Sequence, residues 1–213
     1  MKTPIPSGRI GLALVLVIAA LALAFGLWAG SRWLADPPPP SLQTAVLYPD
    51  PRPVAEFSLQ RTDGSALTEA NLRGHWTIAF FGFTHCPDIC PTTLATFRQV
   101  WTELARRGVT DRVRFLFISV DPERDTPEKL ASYVQFFSKD FVAATGTDEQ
   151  LTRLTRSLGL LYVRDPDPAG GYNVDHSASS IIIDPDGRRA GLFRPPFVAE
   201  QISSDILTLV ESR

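Results

Sequence analysis

Trp76-Thr77-Ile78-Ala79-Phe80-Phe81-Gly82-Phe83 runs directly into Thr84-His85-Cys86-Pro87-Asp88-Ile89-Cys90-Pro91. The first eight residues are nearly all apolar, which marks a strand buried on both faces rather than one alternating between core and solvent. Residues 84–90 read as a loop. Pro91 is then expected to open a helix, since proline is favoured at the first helical position, where its missing N–H has no partner to lose. From there to about Arg107, Leu94, Phe97, Val100, Trp101 and Leu104 recur at helical spacing along one face. Two thiols therefore fall where a buried strand turns into a helix.

The chain around this turn alternates in the same way. Residues 113–120 form a second buried strand, and Asp125-Thr126-Pro127-Glu128 starts an amphipathic helix to about Lys139. A short strand at 141–144, a helix at 148–158, a hairpin of 179–184 and 189–193 around Pro185-Asp186-Gly187, and a closing helix at 197–210 follow. Upstream, residues 54–60 alternate apolar and polar and reach the turn Thr62-Asp63-Gly64. Residues 165–171 read as a Pro- and Gly-rich loop. Strands alternating with helices, then a terminal hairpin, predict an α/β fold, a thioredoxin-like mixed central sheet flanked by helices.

The N-terminus is a different kind of sequence. Residues 10–30 carry no charge for 21 residues, a length of roughly 32 Å as a helix, enough to span a bilayer. Lys2, Arg9 and the small residues Ala29-Gly30-Ser31 also suit a secretory signal. The apolar run, however, exceeds the roughly 7–15 residues of a signal core, so an uncleaved anchor is expected. A buried core helix is the bland alternative, disfavoured by the lack of a polar face and the proline tract that follows. Lys2 and Arg9 before the span, against Arg32 and Asp36 after it, bias the N-terminus toward the cytoplasm. The expected organisation is a cytoplasmic 1–9, a transmembrane 10–31, a Pro-rich spacer and lead-in at 32–53, and a folded domain at 54–213. Pro37 to Pro40 make the spacer stiff and extended. The domain would face the periplasm or a mitochondrial intermembrane space. Three of the 21 basic residues and one of the 23 acidic ones lie in residues 1–36, which leaves 18 and 22 beyond them, a net charge of −4. That excludes nucleic acid as an expected partner.

Cys86 and Cys90 are the only cysteines. In an exported domain a structural disulfide is the first reading of such a pair. With three residues between them, however, a bridge would restrain almost no chain entropy, so redox exchange or metal capture suits them better. A helix N-terminus favours thiolate, and two thiolates suit Cu(I) or zinc; a nearby imidazole would complete a Cys2His set open to copper in either oxidation state. The chain has three histidines. His75 reads as a strand-edge residue, His85 adjoins Cys86 but the turn is expected to aim it away, and His176 lies far along the chain. The only methionine is Met1, so thiolate and imidazole would have to suffice.

Three blocks resemble the Sco/SenC family of copper proteins that assist cytochrome c oxidase assembly: Phe81-Gly82-Phe83-Thr84-His85-Cys86-Pro87-Asp88-Ile89-Cys90-Pro91, Ser119-Val120-Asp121-Pro122-Glu123-Arg124-Asp125-Thr126-Pro127, and Val174-Asp175-His176-Ser177. The resemblance covers residues 54–210 and implies a thioredoxin-like fold. It also implies copper, as Cu(I) or Cu(II), held by Cys86, Cys90 and His176, with Cys86 and Cys90 doubling as a redox-active disulfide. Delivery toward the CuA centre of oxidase subunit II is implied as well. Asp88 and Asp175 match family positions and are expected to orient the ligands or assist docking. Asp121 and Arg124 are expected to order the loop after their strand. Other copper carriers and the membrane are further expected partners, with the chain acting as a monomer.

Three functions compete: a non-enzymatic copper metallochaperone, a thiol-disulfide reductase acting on the oxidase copper-site cysteines, and a redox or copper sensor. The Cys-x-x-x-Cys spacing departs from the two-residue spacing of common thioredoxin motifs, and no proline stands directly before the strand 179–184, where thioredoxin-like enzymes usually carry a cis-proline. The chaperone reading therefore stands first, with reduction as an accessory role. An open state with His176 swung away is a further expectation, because residues 165–171 lead directly to it.

Overall fold

The computed structural model describes residues 7–34, 41–166 and 171–212. Lys2, the proline spacer 37–40 and residues 167–170 of the expected loop lie outside the described residues. Helix α1 (Ser7–Leu34) contains the stretch expected as an anchor; its segment Ala13–Arg32 is by length and composition able to cross a bilayer. Its large apolar residues Leu14, Leu21 and Phe25 are exposed. It belongs to a unit of its own, Met1–Pro39, and the rest of the chain, Pro40–Arg213, forms a second unit.

The second unit carries β1 (Val46–Pro53), β2 (Ser58–Arg61), β3 (Ala66–Thr68), β4 (Trp76–Gly82), α2 (Ile89–Arg106), β5 (Val113–Ser119), α3 (Pro127–Phe137) and β6 (Val142–Thr145). It continues with α4 (Asp148–Ser157), β7 (Tyr162–Pro166), β8 (Tyr172–His176), β9 (Ser180–Ile183), β10 (Arg188–Phe193) and α5 (Ala199–Glu211). Among the described residues, eight strands make one sheet in the order β1-β10-β9-β4-β5-β6-β2-β3, while β7 and β8 form a separate two-stranded sheet. Strand β4 runs parallel to β5 and β5 to β6, joined by α2 and α3, whereas β9 returns antiparallel to β4. This is the mixed sheet expected from the sequence.

Every residue of β4 is buried, as its unbroken apolar run requires. Phe80 and Phe117 on adjacent strands and Phe97 from α2 meet in the core, each at most 1% exposed. Their ring centroids lie about 6 Å apart, within the range of favourable aromatic packing. Helix α3 starts as predicted, with Thr126 as N-cap accepting from the Lys129 N–H at 3.4 Å and Pro127 in the first turn.

Four local expectations are corrected. Helix α2 begins at Ile89, so Pro91 is its third residue rather than its first. The whole first turn lacks intrahelical N–H partners and tolerates proline equally there. In the region 54–60 the strand is confined to Ser58–Arg61. The lead-in 32–53 contains β1, whose prolines at 49, 51 and 53 hid it; β1 is an edge strand paired with β10 only near its two ends, where proline is tolerated. Its approach is fixed by the buried carboxylate of Asp205, which accepts from the N–H groups of Gln43, Thr44 and Ala45 at 2.6, 2.8 and 2.7 Å. Finally, Asp165 and Pro166 are not loop but the end of β7, and the residues leading to His176 are strand β8.

Candidate metal centre

The sheet register brings the distant histidine to the cysteines. Thr77, Ile78 and Ala79 of β4 pair with Ile183, Ile182 and Ile181 of β9. His176 ends β8, three residues before β9 begins, and the cysteine loop follows β4, so the antiparallel β4–β9 pair puts both at the same end of the sheet. One ligand atom each of Cys86, Cys90 and His176 then lies within 4.8 Å of the others. The Cys90 Sγ to His176 Nε2 distance is 3.5 Å.

The loop is held from below by a buried carboxylate. Asp125 Oδ2 accepts from the Thr84 N–H at 2.8 Å and from the Ser119 hydroxyl at 2.5 Å, and Oδ1 accepts from the Thr84 hydroxyl at 2.6 Å. The sequence had offered Asp125 only as a helix-start signal; its burial behind the cysteine loop is a property of the fold.

The two thiols occupy unlike places. Cys90, in the first turn of α2, has no exposure, while Cys86 is at 8% and accepts the Cys90 backbone N–H at 3.5 Å. Burial pushes the Cys90 thiol well above its ordinary range. At Cys90, desolvation therefore works against the thiolate that a helix N-terminus favours. The space beneath Cys90 exists because residue 82 is glycine, where a Cβ would come within 2.6 Å of its sulfur.

His176 is half-buried, with its ring edge-on to Phe80 and Phe83 at centroid distances of 6.0 and 5.8 Å. Burial lowers its pKa below the ordinary imidazole value, which favours the neutral ring. Its Nδ1 lies 3.3 Å from the Ser177 carbonyl; an N–H there leaves the Nε2 lone pair facing Cys90. Two soft sulfurs and a neutral imidazole nitrogen fit copper, and the donor set also fits zinc. Cys86 and His176 open on a cavity of about 220 Å³ whose lining also includes His85, Arg124, Tyr172 and Asp175, with Cys90 behind them.

The other sequence candidates lie apart from this set. His75 precedes β4, at the far end from the cysteines, and its Nε2 has no hydrogen-bond partner among the described residues. His85 is exposed and turned toward Asp125, with Nδ1 3.6 Å from Oδ1. With Asp121 and Asp125 it forms a second compact group, but those carboxylates are already occupied by Arg124, Tyr172, Thr84 and Ser119. Asp175 borders the cavity, and Asp88 is the exposed residue before α2, its carboxylate accepting from the Thr92 hydroxyl at 3.4 Å. Sequence reasoning missed Tyr172 and the aromatic walls Phe80 and Phe83. The alternation Tyr172-Asn173-Val174 was a strand signal, obscured by the glycines before it.

Comparison with known proteins matches a family model described as SCO1/SenC to residues 48–211. The mitochondrial SCO2 homolog of Mus musculus is 36% identical over 202 residues, 92% of this chain and 78% of that one. The Bos taurus counterpart is 40% identical over 152 residues, 71% of this chain, and the match spans 57% of its own length. Among solved structures, Arabidopsis thaliana ScoI with copper bound superposes with a TM-score of 0.69 at 33% identity, covering 75% of this chain and 98% of that one. Yeast Sco1 with copper bound gives 0.70 at 29% identity, covering 76% and 91%.

Proposed function

The chain belongs to the SCO1/SenC family, and from that premise we propose that it is a membrane-anchored copper metallochaperone whose ligands are Cys86, Cys90 and His176. The observation that carries this reading is the mutual approach of the three donor atoms within 4.8 Å, two sulfurs from one turn and an imidazole delivered by a different strand. Copper is the cargo. Cys86 and Cys90 supply soft ligands that suit Cu(I), and His176 adds a borderline ligand that lets the site accept Cu(II). An exposed rim of His85, Pro87 and Asp175 leaves room for a recipient's cysteine or histidine to replace one donor at a time. The recipient in this reading is the CuA site of oxidase subunit II. Helix α1 would hold the domain at the membrane, in the periplasm or the intermembrane space.

The test is a copper titration of the full chain and of Cys86→Ala, Cys90→Ala and His176→Ala. Each variant should bind more weakly and lose its own spectroscopic signature, sulfur-to-copper charge transfer for the cysteines and nitrogen coupling for the histidine. Wild-type affinity in all three would overturn the assignment.

The asymmetry of the thiols favours a second, accessory activity. Cys86 is the more accessible and receives an N–H at its sulfur, so its thiolate would attack a partner disulfide, forming a mixed disulfide and releasing one partner thiolate. Cys90, once deprotonated, would then attack the Cys86 sulfur, releasing the second partner thiolate and leaving a Cys86–Cys90 disulfide. An oxidised copper-site fragment that stays oxidised in the presence of the dithiol chain, where thioredoxin reduces it, would remove this activity. Loss of oxidase activity in a deletion strain, restored by added copper, separates delivery from sensing.

A further inference from the structure

His176 sits on an element that burial alone does not hold. Among the described residues, strands β7 and β8 pair only with each other, and Leu161 and Val163 on the outer side are 70% and 55% exposed. Two arginines fasten this hairpin to the main body from opposite directions. Arg124, in the segment after β5, donates from Nε to Asp121 Oδ2 at 2.5 Å and from Nη1 to the Tyr172 carbonyl of β8 at 3.0 Å. Tyr172 closes the triangle, its hydroxyl donating to Asp121 Oδ1 at 2.5 Å. Arg164 reaches the other way from β7, donating to the Val120 carbonyl at 2.9 Å and to both carboxylate oxygens of Asp148 at 2.6 and 2.9 Å.

The Arg124 triangle also touches the histidine's surroundings. The guanidinium carbon lies 4.0 Å from the Tyr172 ring centroid and 5.6 Å from that of Phe83, and Phe83 meets the His176 ring edge-on. Both Asp121 oxygens are engaged and the residue is fully buried. Charge-assisted bonds around a buried carboxylate are strong and directional, and removing one partner leaves the charge uncompensated.

We propose that Asp121, Arg124 and Tyr172 form a positioning latch that sets the His176 imidazole against the two thiols, so that the third copper ligand depends on Arg124 without Arg124 touching the metal. This rests on the reading of Cys86, Cys90 and His176 as the ligand set. It goes beyond the sequence expectation that Asp121 and Arg124 merely order their own loop. The latch acts through the strand-bearing backbone at Tyr172 and the ring of Phe83. Its loss should therefore be felt at the imidazole first and at the sulfurs little.

The experiment uses the full chain in detergent micelles, with its three histidines labelled in the imidazole ring for NMR, and Cu(II) added against a competing chelator. The variants are Arg124→Gln, Tyr172→Phe, His176→Ala and the double variant Arg124→Gln/His176→Ala. In metal-free Arg124→Gln the His176 ring resonances should lose the shifts imposed by Phe80 and Phe83 while those of His75 stay put. Cu(II) affinity should fall about 10–100-fold, the usual cost of removing a group that orients a ligand, with nitrogen coupling lost and sulfur-to-copper charge transfer retained. The double variant should bind no more weakly than His176→Ala. Wild-type resonances and affinity in Arg124→Gln would overturn the latch, as would losses that add in the double variant. Wild-type affinity in His176→Ala would instead overturn the ligand assignment beneath it. Should the His75 resonances of Arg124→Gln report unfolding, Tyr172→Phe decides, since it keeps the ring and removes one hydroxyl: a smaller displacement of the same His176 signals supports the latch, and none overturns it.

Discussion

The central strands and the β7–β8 hairpin bring the two halves of one site together by different forces. Strand β4 is buried along its whole length, and its neighbours β5 and β9 bury nearly every residue of theirs. The dithiol hangs directly from that framework. The hairpin has a polar or exposed residue at most positions and is tied down by arginines, hydroxyls and rings. The site thus joins thiols fixed by apolar packing to an imidazole fixed by a few directional bonds. The stability of the first should track the whole domain, and the second can be loosened alone.

The strongest challenge to this contrast is Phe80→Ala. Phe80 is 1% exposed and packs with Phe97, Phe117 and His176. Its truncation should destabilise the domain by about 3–5 kcal/mol, read as a lower urea midpoint with an unchanged m value. Loosening confined to the hairpin, with the midpoint unmoved, would contradict the division.

Gly82→Ala tests the junction. The added Cβ would meet Cys90 Sγ at 2.6 Å and the Phe117 ring at 3.0 Å, so one must shift. Overpacking of this kind costs about 1–3 kcal/mol, and copper affinity should fall along with stability. A variant that loses stability but binds copper as wild type would show that the Cys90 sulfur can give way to the new methyl without losing its place as a ligand.

The same contrast explains what could be read in the sequence. The apolar runs of β4 and β5, the helical spacing behind Cys90 and the Thr126-Pro127 start were legible because each is a local pattern forced by burial. The cysteines were legible for the same reason, as the residues joining two strong elements. The hairpin was not. Residues 162–166 include two charges and a proline, and residues 172–176 carry an aspartate and an asparagine; what makes them strands is their pairing and the arginines that clamp them. His176 could therefore be tied to the thiols only through resemblance, whereas the antiparallel β4–β9 pair, which puts the two at the same end of the sheet, is a property of the fold. The separate fates of Cys86 and Cys90 were equally hidden, since a sequence places both near a helix start and only packing buries one completely.

A finer test loosens the hairpin without touching the site. The Tyr162 hydroxyl lies 3.2 Å from that of Thr152 on α4. Tyr162→Phe should lower hydrogen-exchange protection of the β7 and β8 amides by the equivalent of about 0.5–1.5 kcal/mol, the net value of one such bond. Protection in β4 and β5 should not change. Equal losses in both regions would mean that they unfold as one unit.

The smallest effect is electrostatic and has a definite sign. The hydrogen bonds from Arg164 hold the Asp148 pKa below the ordinary value of 3.8. A carboxylate depressed in the folded state contributes stability that is fully present above its unfolded pKa and is lost as pH falls through the folded one. Acidification below about pH 4 should therefore weaken the Arg164 fastening and lower protection in the β7–β8 amides relative to β4, while no such difference develops between pH 5 and 7. Asp148 is 54% exposed, so solvent screening limits the pair to about 0.2–1 kcal/mol, and salt should shrink it further. Asp148→Asn, which cannot ionise, should show the reduced protection already at pH 6 and little further change on acidification. A wild-type profile in that variant would assign the acid sensitivity elsewhere and leave the hairpin held without help from Asp148.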